Sequence, residues 1–376
     1  MVLPDVQKIA ASYSKPSIAV LGSHSALDVS SGARDLGIKS IVICQQGREK
    51  TYERYYKKRE KFGDKLGCID EICVLDRFAD ITSRKWTDYL TKEQAVFVPH
   101  RSFSVYVGYD RIENEFSVPI FGNRWLLRAE ERNVPKNQHY LLEKAGVRVP
   151  KTFDSPDKID RLVIVKAPEA KRSYERAFFI VRSAYEYGKK AKELLSRGLV
   201  TPEGLKSALI EEFVLGAQFN FNFFYSPLSG ELELLGTDFR RQTNLDGLLR
   251  LTAPEQTEVL KLSRMKNIEV GHVACTIRES LLERVFEMGE KFVETCRKEY
   301  KPGLIGPFAL QGALIPAENG EEPVIFDVSF RVPGSPGVRY TPYGEYLRGR
   351  SMSTGERIAL EVKTAAKEKR MGEIVT

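Results

Sequence analysis

Three groups of residues in the second half of this 376-residue chain are of types that handle phosphorylated nucleotides. Lys166 closes the apolar run that starts at Leu162, and Lys171 follows shortly after. Two ammonium groups so placed can meet the α- and β-phosphates of a nucleotide under a mobile loop, although lysines at strand ends are more often simply solvated. Ile210-Glu211-Glu212-Phe213-Val214-Leu215-Gly216 reads as a strand running into a hinge. Such a hinge offers main-chain N–H and C=O groups to an adenine edge, with the acids turned to its amino group and ribose. Gly306-Pro-Phe-Ala-Leu-Gln311 and Ile325-Phe-Asp327-Val-Ser329-Phe-Arg331 read as two antiparallel strands. Their oxygen side chains, Gln311 and Asp327, are placed to share a Mg²⁺ ion that bridges nucleotide phosphates. Arg331 would then neutralise charge on a phosphoryl group in transfer.

Groups of this kind act only when rigid elements hold them, and the sequence predicts those elements. Ser17 to Leu21 is an apolar run that stops at Gly22, and Ser25 to Leu36 reads as a helix ended by Gly37. Further apolar runs at Ile38 to Cys44, Ile72 to Leu75, Ala95 to Val98 and Val118 to Phe121 predict a parallel α/β domain over the first third of the chain. Ligands gather at the carboxyl ends of the strands in such a sheet, which singles out Gly22-Ser-His24-Ser and Pro99-His-Arg-Ser102. Arg48 to Lys65, basic with interleaved acids and aromatics, reads as an amphipathic helix with a solvated face, or else as an RNA-binding face.

A second unit starts near Trp125. It has a helix from Lys136 to Ala145, strands at Leu162 to Lys166 and Phe178 to Arg182, a helix from Ala184 to Leu195 and a strand from Leu209 to Val214, a small α+β lid pattern. From Phe219 the chain is strand-rich, then helical from Leu281 to Tyr300. Strands at Phe308 to Leu314 and Val324 to Val328 follow, and then a basic helix from Ser353 to Met371. The expected divisions are residues 1–124, 125–208 and 209–376.

The 58 basic against 51 acidic residues leave a net charge of +7, which suits anionic partners. A phosphorylated small molecule accounts for that balance without nucleic acid. No uncharged apolar run approaches the roughly 20 residues that span a bilayer, and the first residues show no basic region followed by an apolar one. A cytoplasmic protein with no membrane partner is therefore expected. The five cysteines are scattered and none forms a CxxC pair, so free thiols are expected rather than a disulfide framework or a zinc site.

In order, the lysines, the acid-acid-aromatic-Val-x-Gly hinge and the paired oxygen ligands followed by Ser329 and Arg331 resemble an ATP-grasp fold. This implies an α/β and α+β architecture, an N-terminal parallel α/β (pre-ATP-grasp) domain followed by a two-lobed ATP-grasp fold. Gly22-Ser-His-Ser-Ala-Leu, Pro99-His-Arg-Ser102, Pro119 to Asn123, Gly236-Thr-Asp-Phe-Arg240 leading to Asn244-Leu-Asp246-Gly, Arg278-Glu-Ser-Leu-Leu282 and Gly306-Pro-Phe narrow the resemblance. They look like the archaeal formate-dependent enzyme that formylates 5-aminoimidazole-4-carboxamide ribonucleotide (AICAR) in purine synthesis.

The resemblance implies that His24, Ser102, Arg240 and Asn244 hold the substrate. It implies that Lys136, Lys166, Lys171, Glu211, Glu212, Phe213, Val214 and Gln218 hold ATP, and that Gln311 and Asp327 hold Mg²⁺ or Mn²⁺. Arg331 is the implied catalytic residue. It further implies AICAR, formate and ATP as partners and a homo-oligomer. The chain departs from the family pattern at Arg172-Ser-Tyr-Glu-Arg176, which lacks the family's glycines, and at Gln311 and Asp327, where glutamates are expected. Those departures leave a diverged nucleotide-binding relative, with another substrate or a regulatory role, as the alternative.

Overall fold

Ser17–Leu21, Ser40–Gln45 and Ala95–Phe97 alternate their side chains into two apolar layers and are almost wholly buried, as strands covered on both faces must be. The computed structural model describes residues 4–131, 133–167, 177–243, 245–263, 267–318 and 320–376. The strands lie in the order Glu71–Leu75, Ser40–Gln45, Ser17–Leu21, Ala95–Phe97, and all are parallel. Parallel pairing sends both Gly22-Ser-His24 and Pro99-His-Arg-Ser102 out of the same sheet edge. Val118 to Phe121 adds only single bridges, Phe97 to Ile120 and Phe121 to Val375, rather than a further strand.

Arg48 to Lys65 is not one helix. A single turn, Tyr52–Tyr56, is followed by a hairpin of Arg59–Lys61 and Asp64–Leu66. Its tip, Phe62-Gly63, has φ values of +55° and +83°, the pair of positive angles that a two-residue hairpin turn requires and a helix forbids.

The chain divides into two units. The first holds Met1–Gly146, Phe219–Gln311 and Asp327–Thr376, and the second Val147–Gln218 and Gly312–Phe326. In the first unit a second sheet runs Asn267–Cys275, Glu231–Thr243, Ala217–Ser226, Gly306–Ala317, Gly320–Ser329, with parts of its last three strands counted in the second unit. Asn267–Cys275 and the helix Ala253–Leu262 are elements that the sequence reading had left unassigned. Helix Leu282–Glu299 buries an apolar face, and Thr354–Glu368, expected as a basic helix, buries Ile358, Ala359, Val362 and Ala365 together with Glu356, Arg357 and Glu361. The second unit is built on an antiparallel sheet ordered Thr152–Phe153, Leu209–Glu212, Val163–Ala167, Ala177–Val181. Among the described residues no helix is long and apolar enough to cross a membrane.

Candidate active site

His24 leaves the first strand with φ +47°, a left-handed conformation uncommon outside glycine. Its ring stacks on His100, with centroids 5.4 Å apart. The network fixes both tautomers. The single hydroxyl proton of Ser25 is donated to Pro333 O over 2.8 Å, so Ser25 Oγ must accept from His24 Nδ1 at 2.7 Å, and His24 Nε2 keeps its lone pair. His100 is the reverse. Its Nδ1 accepts the Ser102 N–H at 3.2 Å, so Nε2 donates to Leu21 O at 2.9 Å. Desolvation by the groups around it lowers the His24 imidazole to about 3, helped by His100, Arg331 and His272, although the residue as a whole is exposed, and full burial lowers His100 to about 4, so both are neutral. Ser102 Oγ donates to Ser23 Oγ at 2.9 Å, tying the two loop ends together.

The second sheet brings up a contrasting group. Along Ala217–Ser226 and Glu231–Thr243, Asn220, Asn222 and Asp238 are buried polar residues in a phenylalanine-rich sheet. Asp238, 1% exposed, accepts from Asn220 Nδ2 at 2.9 Å and from Asn222 Nδ2 at 2.7 Å, and it takes the Nδ1–H of His272. Burial by itself would lower the His272 pKa. The Asp238 carboxylate and Glu269 outweigh it and raise the imidazole to about 9, so His272 is a cation beside the neutral His24.

Gly334 separates them: a Cβ there would stand 3.1 Å from His24 Nε2 and 3.5 Å from His272 Nε2, so only glycine leaves the space between the two rings open. A Gly334→Val variant is therefore expected to fold and to lose substrate affinity, which calorimetry on the purified variant would read.

Arg240, paired in register with His272, donates through Nη2 to Gln311 Oε1 and lies 3.9 Å from Asp327 Oδ2. Gln311 Nε2 in turn donates to Ser329 Oγ at 3.0 Å. Arg331 faces Glu130 at 3.2 Å from both carboxylate oxygens, and Glu130 also accepts the Phe330 N–H at 2.9 Å. Five of the sequence-derived residues, His24, Arg240, Gln311, Asp327 and Arg331, thus fall within one set of charges in the first unit, and Ser102 anchors its edge. Lys136 is engaged otherwise, at 2.8 Å from Glu299 Oε2 on the helix Leu282–Glu299.

The sequence reading gave no role to Glu269, His272 and Gly334, and none to His100 and Asp238 although both lie inside strings that it singled out. Three of the chain's four histidines meet here, and the signal open to it was Asn220 and Asn222 alternating with Phe219, Phe221 and Phe223, a strand with one polar face.

In the second unit, Lys166 pairs with the buried Glu211 on the neighbouring strand. Glu212 lies 3.4 Å from Arg148 and accepts the Lys151 N–H at 3.2 Å. The N–H groups of Glu212 and Phe213 are donated to Lys151 O and Leu162 O. Gln218 is exposed at the start of its strand. Lys171 and Asn244 lie outside the described residues, as do Arg172 to Arg176.

Residues 18–153 match a family described as a protein of unknown function, DUF1246, and residues 186–376 match a domain of unknown function, DUF1297. A 5-formaminoimidazole-4-carboxamide-1-(beta)-D-ribofuranosyl 5'-monophosphate synthetase from Methanopyrus kandleri is 41% identical over 96% of this chain and 95% of its own length. One of the same name from Methanocaldococcus jannaschii is 40% identical over 96% of each chain. The chain belongs to this synthetase family. Among solved structures, the synthetase chain resembles an IMP biosynthesis protein PurP from Thermococcus kodakaraensis, with a TM-score of 0.70 and 27% identity over 96% of this chain and 100% of that one. An ADP complex of N5-carboxyaminoimidazole ribonucleotide synthetase matches with a TM-score of 0.54 at 13% identity, over 93% of this chain and 78% of that one, a likeness of fold alone. The fold is of the ATP-grasp type.

Proposed function

We propose that this chain is an ATP- and formate-dependent ligase that converts AICAR to its 5-formamido product, with release of ADP and phosphate. The observation that carries the reading is the 41% identity, over nearly the full length of both chains, to a synthetase named for that product. Formate attacks the γ-phosphate of ATP to give formyl phosphate, and the 5-amino group of AICAR then attacks the formyl carbon and expels phosphate. The amine is conjugated to the imidazole and its carboxamide, so an activated acyl donor is chemically required. In the first unit, His24 offers a fixed lone pair at Nε2 to a donor on the substrate, and Arg240 and Arg331 supply positive charge to its anionic groups and to the transferring phosphoryl group. In the second unit, Lys166 and the run from Glu211 to Val214, with Gln218, serve the nucleotide.

The metal expectation divides. The Asp327 carboxylate, partly exposed, fits a Mg²⁺ or Mn²⁺ ion that takes its remaining ligands from phosphates and water. Gln311 fits less well, because it brings no charge and its oxygen already accepts from the Arg240 guanidinium, a cation that a metal on that oxygen would have to displace. Among the described residues no three His, Cys, Asp or Glu side chains gather as a metal cage, so any bound ion depends on the nucleotide. Such an ion would offset the charge of the phosphates.

Phosphate release should require ATP, formate and AICAR together, and the formamido product should appear by mass spectrometry. Release that ignores AICAR and formate would sink the reading. ATP or AICAR binding without product would point to the nucleotide-binding relative that Gln311 favours. Arg331→Ala should lower kcat by roughly 100-fold or more, since it removes charge stabilisation at the reacting centre.

A further inference from the structure

The formylation chemistry leaves Glu130 without a task, although its side chain, only 5% exposed, lies against Arg331. Burying a carboxylate is costly, and a buried ion pair by itself seldom repays the desolvation. This one is nevertheless held in a fixed place from two directions. Glu130 Oε1 accepts the Phe330 N–H at 2.9 Å, and the Glu130 carbonyl accepts from Gln138 Nε2 at 2.7 Å. Gln138, itself buried, accepts the Val328 N–H through Oε1. Carboxylate and main chain are thus both fastened to the end of the strand Gly320–Ser329, from which Arg331 leaves. Arg331 is gripped along one edge. Its Nη2 donates to Glu130 Oε2 at 3.2 Å, whereas Nε, 3.2 Å from Oε1, is off line and has no hydrogen-bond partner among the described residues. Nη1 has none among them either. The Arg331 charge acts on both His24 and His100, so it reaches the loops that leave the parallel sheet. Arg101, next to Ser102, brings Nη1 within 3.5 Å of the same Glu130 Oε2. One carboxylate therefore faces two guanidiniums and cannot cancel both.

We propose that Glu130 is the positioning residue of Arg331: it holds one edge of the guanidinium so that the rest faces the phosphoryl group in transfer, and Arg101 keeps the cluster positive. A guanidinium charge stabilises a transition state only if it is aimed before the reaction starts, and a long side chain loses that aim unless its free end is anchored. The inference rests on the role proposed for Arg331.

Kinetics of single and double variants, with calorimetry on the full chain, test it. Glu130→Gln keeps the volume and can still accept the Phe330 N–H, yet it turns an amide rather than a charge to Arg331. It should lower kcat by about tenfold or more and leave KM for ATP and AICAR within about twofold, the split expected when only a transition-state contact is lost. In an Arg331→Ala background the same change should cost less than about twofold, because nothing is left for the carboxylate to aim. Binding of ADP with orthovanadate, a mimic of the phosphoryl group in transfer, should weaken by about tenfold in Glu130→Gln while ADP alone stays within about twofold. Glu130→Asp, which keeps the charge but withdraws it by a methylene, should repeat the pattern, and it replaces the amide variant if that one does not fold. Equal losses in the wild-type and Arg331→Ala backgrounds would make Glu130 merely structural and overturn the proposal, as would an undiminished vanadate complex. If the wild type binds vanadate with ADP but never formylates AICAR, the functional reading fails and the vanadate comparison alone decides on Glu130. A wild type that gains nothing from vanadate and forms no product overturns both.

Discussion

Gly355→Ala destabilises the chain by about 3 kcal/mol or more, because the added methyl meets backbone that cannot rotate away. A Cβ at Gly355 would stand 2.1 Å from Asp28 O and 2.7 Å from Val29 Cα, and one at Gly32 would stand 2.2 Å from Glu356 N. The helices Ala26–Asp35 and Thr354–Glu368 therefore cross with main chain against main chain, and Gly355 donates its N–H to Asp28 Oδ2 at 2.9 Å. Relief would need the helices to part, which unpacks Val29, Ala33, Ile358, Ala359 and Val362, all fully buried. Urea and thermal unfolding of the variant measure the loss, and a cost below about 1 kcal/mol would show that the helices can slide. Gly188→Ala is the control. It lies within the helix Ala184–Ser196 with nothing within 4 Å of its Cβ position, so the same change there should stabilise by about 0.5–1 kcal/mol.

Asp238→Asn is expected to cost about 3 kcal/mol near neutral pH and to flatten the dependence of stability on pH. His272 is raised from an ordinary value of 6.5 to about 9 in the folded chain, so folding takes up a proton in that window. The stabilisation is fully present below about 6.5 and is lost as the pH rises through about 9, with an upper magnitude of about 3 kcal/mol. With the carboxylate gone, His272 keeps the burial that lowers its pKa and loses its chief compensation. Denaturant melts across the window should slope in the wild type and run level in the variant; an unchanged slope would mean that another group takes up the proton.

Much of the architecture was legible because the signals are local. Apolar runs of strand length stopping at Gly22 and Pro99 mark the parallel sheet, and the apolar face of Leu282–Glu299 follows from its own periodicity. The hairpin at Phe62 was misread because helical spacing of aromatics over Tyr52 to Phe62 outweighed one glycine. For the candidate site, motif strings single out His24, Ser102, Arg240 and Arg331. Their ionisation and their partners were not legible there. Whether a histidine is neutral like His24 or charged like His272 depends on a carboxylate from another strand and on the water excluded around it.

The sequence by itself determined the family, the parallel sheet and the two loops that leave the carboxyl ends of its strands, because each is written in contiguous residues. Only the tertiary structure decided that Gln311 pairs with Arg240 and Ser329, and that Asp238 makes His272 a cation facing Glu269. Those outcomes turn on hydrogen bonds and charge pairs between residues tens of positions apart, which no local pattern encodes.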